Sequence, residues 1–167
     1  KDKFVKKIHD SKVKIKSNYE FDIKIYESLF DNTEQIVLSK GNIDNGKPVM
    51  VRVHVTDYFD NLFGEYGSDD ASLNKSVEVI QEHGRGVLVL IRDSGKSIIN
   101  RLITNASSGE NKSENEKDEL RIYGMGAQIL SELGVKEMIL LTNTEWKFIG
   151  LEAYGIDIIE TKLLSAL

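Results

Sequence analysis

The sequence predicts an α+β (mixed α/β) domain in which N-terminal antiparallel strands are followed by βα units. Three observations carry this. Val13 and Ile15, then Phe21, Ile23 and Ile25, alternate with polar residues, the period-two pattern of half-buried strands. From Leu73 onward, stripes with helical spacing alternate with short apolar runs. Strands first and βα units afterwards is an order that packs as sheet plus helices around one core.

The elements follow in order. Residues 36–38 form a short apolar strand, and Asn45-Gly46 is a hairpin-turn signal before the next one. In that strand, Val49–Thr56, the valines take one face, while Arg52, His54 and Thr56 share the other because strand side chains alternate. Pro48 stands at its start, where a missing N–H is tolerated. Three polar residues in line are either a solvent-exposed face or the lining of a cavity. Leu73, Val77 and Ile80 make a helical stripe with Gly84 as its stop. Residues 87–91 are a buried strand, 98–106 a helix, and 107–117 a polar surface loop. Residues 120–133 form a second amphipathic helix, stopped by Gly134. A strand at 138–141, a short helix at 145–153 and a last strand at 156–159 complete the chain. No internal repeat or clear domain boundary interrupts it.

Composition narrows the function classes. With 167 residues, 40% hydrophobic and 29% charged, the chain falls in the range of a soluble single domain with a real core. Its longest apolar runs are far shorter than a membrane span. The absence of cysteine excludes disulfides and thiolate metal sites. A net charge of −5 argues against a general nucleic-acid binder, and Lys1, Lys3, Lys6 and Lys7 read as a solvated basic end. No export signal is visible, so the cytoplasm is the expected compartment. The chain opens on Lys1, which suggests a fragment of something longer.

Two glycine segments are relevant to anion binding. Residues 41–47 match most of a phosphate-binding loop, but Pro48 follows and the segment lies between strands, so the hairpin turn is the better reading. Residues 92–96, Arg-Asp-Ser-Gly-Lys, follow a strand and precede a helix, where free N–H groups suit an anion; an ordinary turn explains the same glycine. His9, His54 and His83 show no metal-ligand spacing.

Several blocks in order resemble GTP cyclohydrolase II, the enzyme that opens the guanine ring of GTP at the start of riboflavin synthesis. They are Arg52-Val53-His54, Glu82 through Leu88 (EHGRGVL), Leu120-Arg121 with Tyr123 through Leu130 (YGMGAQIL), Leu133-Gly134-Val135, Leu140 through Asn143 (LLTN), and Gly150 through Gly155 (GLEAYG). The resemblance covers about residues 12–162 and implies a GTP cyclohydrolase II-like fold, with residues 1–11 as a lead-in from a preceding domain or linker and 12–167 as the domain. It implies that Arg121 is the nucleophile toward the α-phosphate, with Glu119 as proton acceptor where the family has Asp. It places Arg52, Thr142 and Lys147 at the nucleotide, and Lys96 in the anion-binding turn. The family's three zinc cysteines fall at Asp57, Ser68 and Asp70. A hydroxyl and two carboxylates are not a zinc set, so zinc is expected to be absent and no other cofactor is implied. The glutamate of the family's RQEGR block is lost at Ser94, its catalytic tyrosine falls at Asn105 and a glutamine at Leu73.

The resemblance therefore implies a degenerate, zinc-free domain with a structural or regulatory role. In many bacteria the family is fused behind a 3,4-dihydroxy-2-butanone 4-phosphate synthase, and the lead-in Phe4-Val5-Lys6-Lys7 fits the C-terminal half of such a fusion. The alternatives are a zinc-independent hydrolase that releases pyrophosphate from GTP through Arg121, and a pure binding module. Expected partners are GTP or phosphate, bound weakly if at all, the fused synthase and a second copy in a homodimer, with no nucleic acid or membrane.

Overall fold

The structure, a computed structural model, describes residues 3–56, 68–92, 112–143 and 150–167. Strands β1 (Val5–Ile15), β2 (Tyr19–Ser28) and β3 (Glu34–Lys40) are followed by β4 (Val49–Thr56), helix α1 (Ser68–His83), β5 (Gly86–Arg92), helix α2 (Lys112–Glu132), β6 (Glu137–Thr142) and β7 (Asp157–Leu163). All seven strands form one mixed sheet in the order β1-β2-β3-β5-β4-β6-β7. Pairing is antiparallel from β1 to β5 and parallel from β5 through β4 and β6 to β7. The expected α+β class holds. No described helix is long and apolar enough to cross a membrane.

Side-chain alternation divides the core into two layers. Val49, Val51 and Val53 of β4, with Val87, Val89 and Ile91 of β5, pack against Met125, Ile129 and Leu130 of α2. Met50 and Leu88 point the other way and meet Val77 and Ile80 of α1. The two helices thus cover opposite faces, and each buried aliphatic side chain contributes roughly 1.5–3 kcal/mol relative to exposure. Both helices end where the sequence expected: Gly84 and Gly134 adopt φ of 80° and 88°, a left-handed conformation open to glycine.

Several boundaries differ from expectation. β1 starts at Val5 and pairs with β2 from its first residue, Val5 standing opposite Ser28, so residues 5–11 belong to the sheet rather than to a lead-in. The sequence hid this because β1 is an edge strand, and most of its side chains are exposed. The expected polar loop at 107–117 is helical from Lys112. The expected helices at 98–106 and 145–153 lie largely outside the described residues, and Leu151–Tyr154 is a 3₁₀ turn.

Residues 41–48 are not a hairpin. They join β3 to β4, and β5 lies between those two strands in the sheet. Arg85 fills this wide connection: its Nε and Nη groups donate to Asn42 O (2.6 Å), Pro48 O (2.5 Å), Asn45 Oδ1 (2.6 Å) and Lys47 O (3.0 Å). Its carbonyls are engaged by a guanidinium, so the segment is a braced turn and not a phosphate cradle.

Candidate functional site

Sheet topology places the site. From β4 the chain reaches β5 by way of α1 on one face; from β5 it reaches β6 by way of α2 on the other. The adjacent carboxyl ends of β4 and β5 therefore send their connections in opposite directions, and ligands of open αβ sheets bind at such switch points. Thr56 stands opposite Arg92 at this mouth. Three stretches of chain leave this edge, after Thr56, Arg92 and Thr142. They contain Asp57, Ser94, Lys96, Asn105 and Lys147, all of which lie outside the described residues.

Arg52 and His54 sit just inside the mouth, on the face of β4 that meets α1. They are 9% and 5% exposed, so the solvent-face reading is overturned for these two residues. The Arg52 guanidinium donates to Leu141 O and Ser72 Oγ, both at 3.5 Å. Those two contacts are at the long limit for hydrogen bonds. Ser76, fully buried, donates to Ser72 O at 2.9 Å and steadies that turn of α1. Leu73, half-buried, packs with the apolar layer of Val77 and Ile80.

Thr142 ends β6 at the same edge and is 3% exposed. It follows Leu140 by two residues and so faces α2, the layer opposite to Arg52. Arg121 lies on α2, exposed, with its guanidinium carbon 4.8 Å from the centroid of the Phe30 ring. Glu119 is on the same helix, its side chain outside the described part, and Ser68 and Asp70 are likewise placed only as the first residues of α1. The structure thus brings Arg52, Thr142 and Arg121 to one edge of the sheet, but onto two faces of it.

The β2–β3 turn joins this edge, because β3 runs antiparallel to β5 with Ile36 opposite Leu90. Sequence reading missed its role. Gln35, with no exposure, accepts the Arg92 N–H at 2.5 Å and donates to Thr33 Oγ1 at 2.8 Å. It anchors the last residue of β5, where the segment bearing Ser94 and Lys96 departs. Thr33 donates from its hydroxyl (2.7 Å) and amide (3.1 Å) to Asp31. Partial burial would raise the Asp31 carboxyl, but these hydrogen bonds and one from Ser28 outweigh it and hold the pKa below the ordinary value. A lone glutamine heading an apolar strand was the available signal; Phe30 gave none.

Comparison with known proteins agrees with this architecture. The GTP cyclohydrolase II family model matches residues 6–162. The riboflavin biosynthesis protein RibBA of Chlorobium phaeovibrioides is 38% identical over 154 residues, which is 84% of this chain and 37% of that protein. The monofunctional riboflavin biosynthesis protein RIBA 2, chloroplastic, of Arabidopsis thaliana is 37% identical over 142 residues, covering 83% of this chain and 30% of its own length. RibBA of Bacillus cereus is 37% identical over 145 residues, 81% of this chain and 36% of that one. The chain therefore spans about a third of the length of these relatives. Among solved structures, RibBX, a two domain 3,4-dihydroxy-2-butanone 4-phosphate synthase from A. baumannii, shares the fold with a TM-score of 0.57 at 19% identity, over 97% of this chain and 40% of that one.

Proposed function

The chain belongs to the GTP cyclohydrolase II family, and from that premise we propose a domain of a riboflavin-biosynthesis protein that keeps an anion-binding edge but does not open the GTP ring. The carrying observation is the donor set at the zinc positions. Asp57, Ser68 and Asp70 offer two carboxylates and a hydroxyl, and the chain has no cysteine to replace them. Such donors do not fit a zinc site built on thiolates, so no step is routed through that metal. Other losses point the same way: Ser94 and Asn105 replace a glutamate and a tyrosine of the family pattern, and Leu73 is committed to the core.

The polar and cationic residues at the family's nucleotide positions support the anion-binding part of this reading. Buried Arg52 at the mouth, Arg121 exposed on α2, Thr142 at the end of β6, and Lys96 and Lys147 in the adjoining segments together support binding of a nucleotide's phosphates or pyrophosphate. The role is then structural or regulatory, toward a fused 3,4-dihydroxy-2-butanone 4-phosphate synthase domain and in a homodimer, in the cytoplasm. The exposed Arg121 favours a second reading, in which water cleaves the α–β phosphoanhydride of GTP to give GMP and pyrophosphate without ring opening, Glu119 accepting the proton. Incubation with GTP and Mg²⁺, with and without Zn²⁺, followed by product analysis separates them. Intact GTP supports the first, GMP with pyrophosphate the second, and ring-opened pyrimidine contradicts both.

A further inference from the structure

We propose that Phe30 is a positioning residue for Arg121, part of an aromatic seat that holds the guanidinium in one orientation at the anion-binding edge. The inference rests on the anion-binding reading above for its purpose, but the seat itself is built from contacts of its own. On α2, Arg121, Gly124 and Gln128 are spaced three and four apart and lie along one stripe. Phe4 runs along that stripe. Its N–H donates to Gln128 Oε1 at 2.8 Å, and its ring lies over Gly124. A Cβ at Gly124 would come within 2.9 Å of Phe4 Cε2, so only glycine lets the ring approach the helix this closely.

Phe4 then supports Phe30. The two rings are 5.3 Å apart and tilted by 35°, and the Phe4 carbonyl accepts the Leu29 N–H at 2.9 Å, tying the β2–β3 turn to the stripe. The Phe30 N–H donates to Ser28 Oγ at 3.2 Å, and the Ser28 N–H to Thr33 O at 2.8 Å, which close the turn. On this stack the Arg121 guanidinium carbon rests 4.8 Å from the Phe30 centroid. The aromatic face attracts the cation, and ordering a long side chain in advance removes part of the entropy cost of meeting a ligand. Gly124 and Gln128 of the sequence block around Arg121 thereby gain a physical purpose: they dock the aromatic pair that orients the arginine.

The test uses the 167-residue chain and the variants Phe30→Leu, which keeps an apolar side chain but removes the ring, and Phe30→Trp, which restores a ring face. Nitrogen-15 relaxation of the Arg121 Nε–Hε group, assigned with Arg121→Lys, reads the seat without any ligand. Phe30→Leu is expected to lose the ring-current shift and lower the order parameter, with Phe30→Trp retaining both. Pyrophosphate affinity by calorimetry is expected to fall about two- to fivefold in Phe30→Leu, the scale of one exposed cation–π contact, and to return in Phe30→Trp. Unchanged relaxation in Phe30→Leu overturns the seat. Changed relaxation with unchanged pyrophosphate affinity overturns its positioning purpose. If the unsubstituted chain binds no pyrophosphate, the anion-binding reading and the positioning purpose fail together, and the relaxation result alone decides whether the seat exists.

Discussion

The two arginines of this edge differ in what surrounds them, and that difference sets what each substitution does. Arg52 is buried between β4 and α1, whereas Arg121 is exposed on an aromatic ring. For the unsubstituted chain we expect pyrophosphate or GTP to bind in the high-micromolar range or more weakly, roughly −5 kcal/mol. Calorimetry on Arg52→Ala combined with Arg121→Ala is expected to show no binding at millimolar ligand; unchanged binding would place the anion elsewhere. Elemental analysis is expected to find far less than one zinc per chain, since Asp57, Ser68 and Asp70 supply no thiolate. Asp31 gives a pH signature. Its folded pKa lies below the ordinary 3.8, so its contribution to stability is fully present above that value and is lost as pH falls through the folded pKa. The gap in Tm between the parent and Asp31→Asn should be widest near neutrality and close in acid. A gap that widens in acid would contradict the assignment. At this scale the sequence, through the alternation of β4, put Arg52 and His54 on one face, as the structure has them. It could not show that Thr142 faces the other helix, nor that Gln35 reaches Arg92 across 57 positions, because both depend on strand order.

Helices and strands carry the site by holding its edge in register. α1 is fixed on the sheet by Val77 and Ile80, and Ile80 has no exposure. Ile80→Ala should cost about 2–5 kcal/mol in denaturant unfolding, as for other large-to-small changes in a full core. The β2–β3 turn is fixed through Gln35, whose removal takes the acceptor from the Arg92 N–H. Gln35→Leu should cost about 1–3 kcal/mol, and Arg92 amide exchange should speed up; a slower or unchanged amide would show that the bond does not hold the strand end. Periodicity made α1, β5 and β6 legible, and both glycine stops were found. It found only the end of β1, at Val13 and Ile15, and missed residues 5–11, whose side chains are mostly exposed. It failed again at 41–48, where Asn45-Gly46 marks a turn truly but says nothing of which strands the turn joins. The brace by Arg85, not a paired hairpin, explains how that turn is held.

For the whole molecule, the mixed sheet with helices on opposite faces creates a switch point between β4 and β5, and among the described residues Arg52 and Thr142 stand near that edge. The family match runs over residues 6–162, and the fold is shared with a two-domain synthase at a TM-score of 0.57. On the proposed reading, Asp57, Ser68, Asp70, Ser94 and Asn105 stand where the family's ring-opening groups would be. Since such groups act as a unit, restoring cysteine at positions 57, 68 and 70 alone should not restore ring opening. The most direct test is chromatographic analysis of GTP incubated with the unsubstituted chain, Mg²⁺ and saturating Zn²⁺. The account expects no ring-opened pyrimidine product above the level of a no-protein control. Steady formation of that pyrimidine, proportional to protein concentration and abolished by Arg121→Ala, would contradict it.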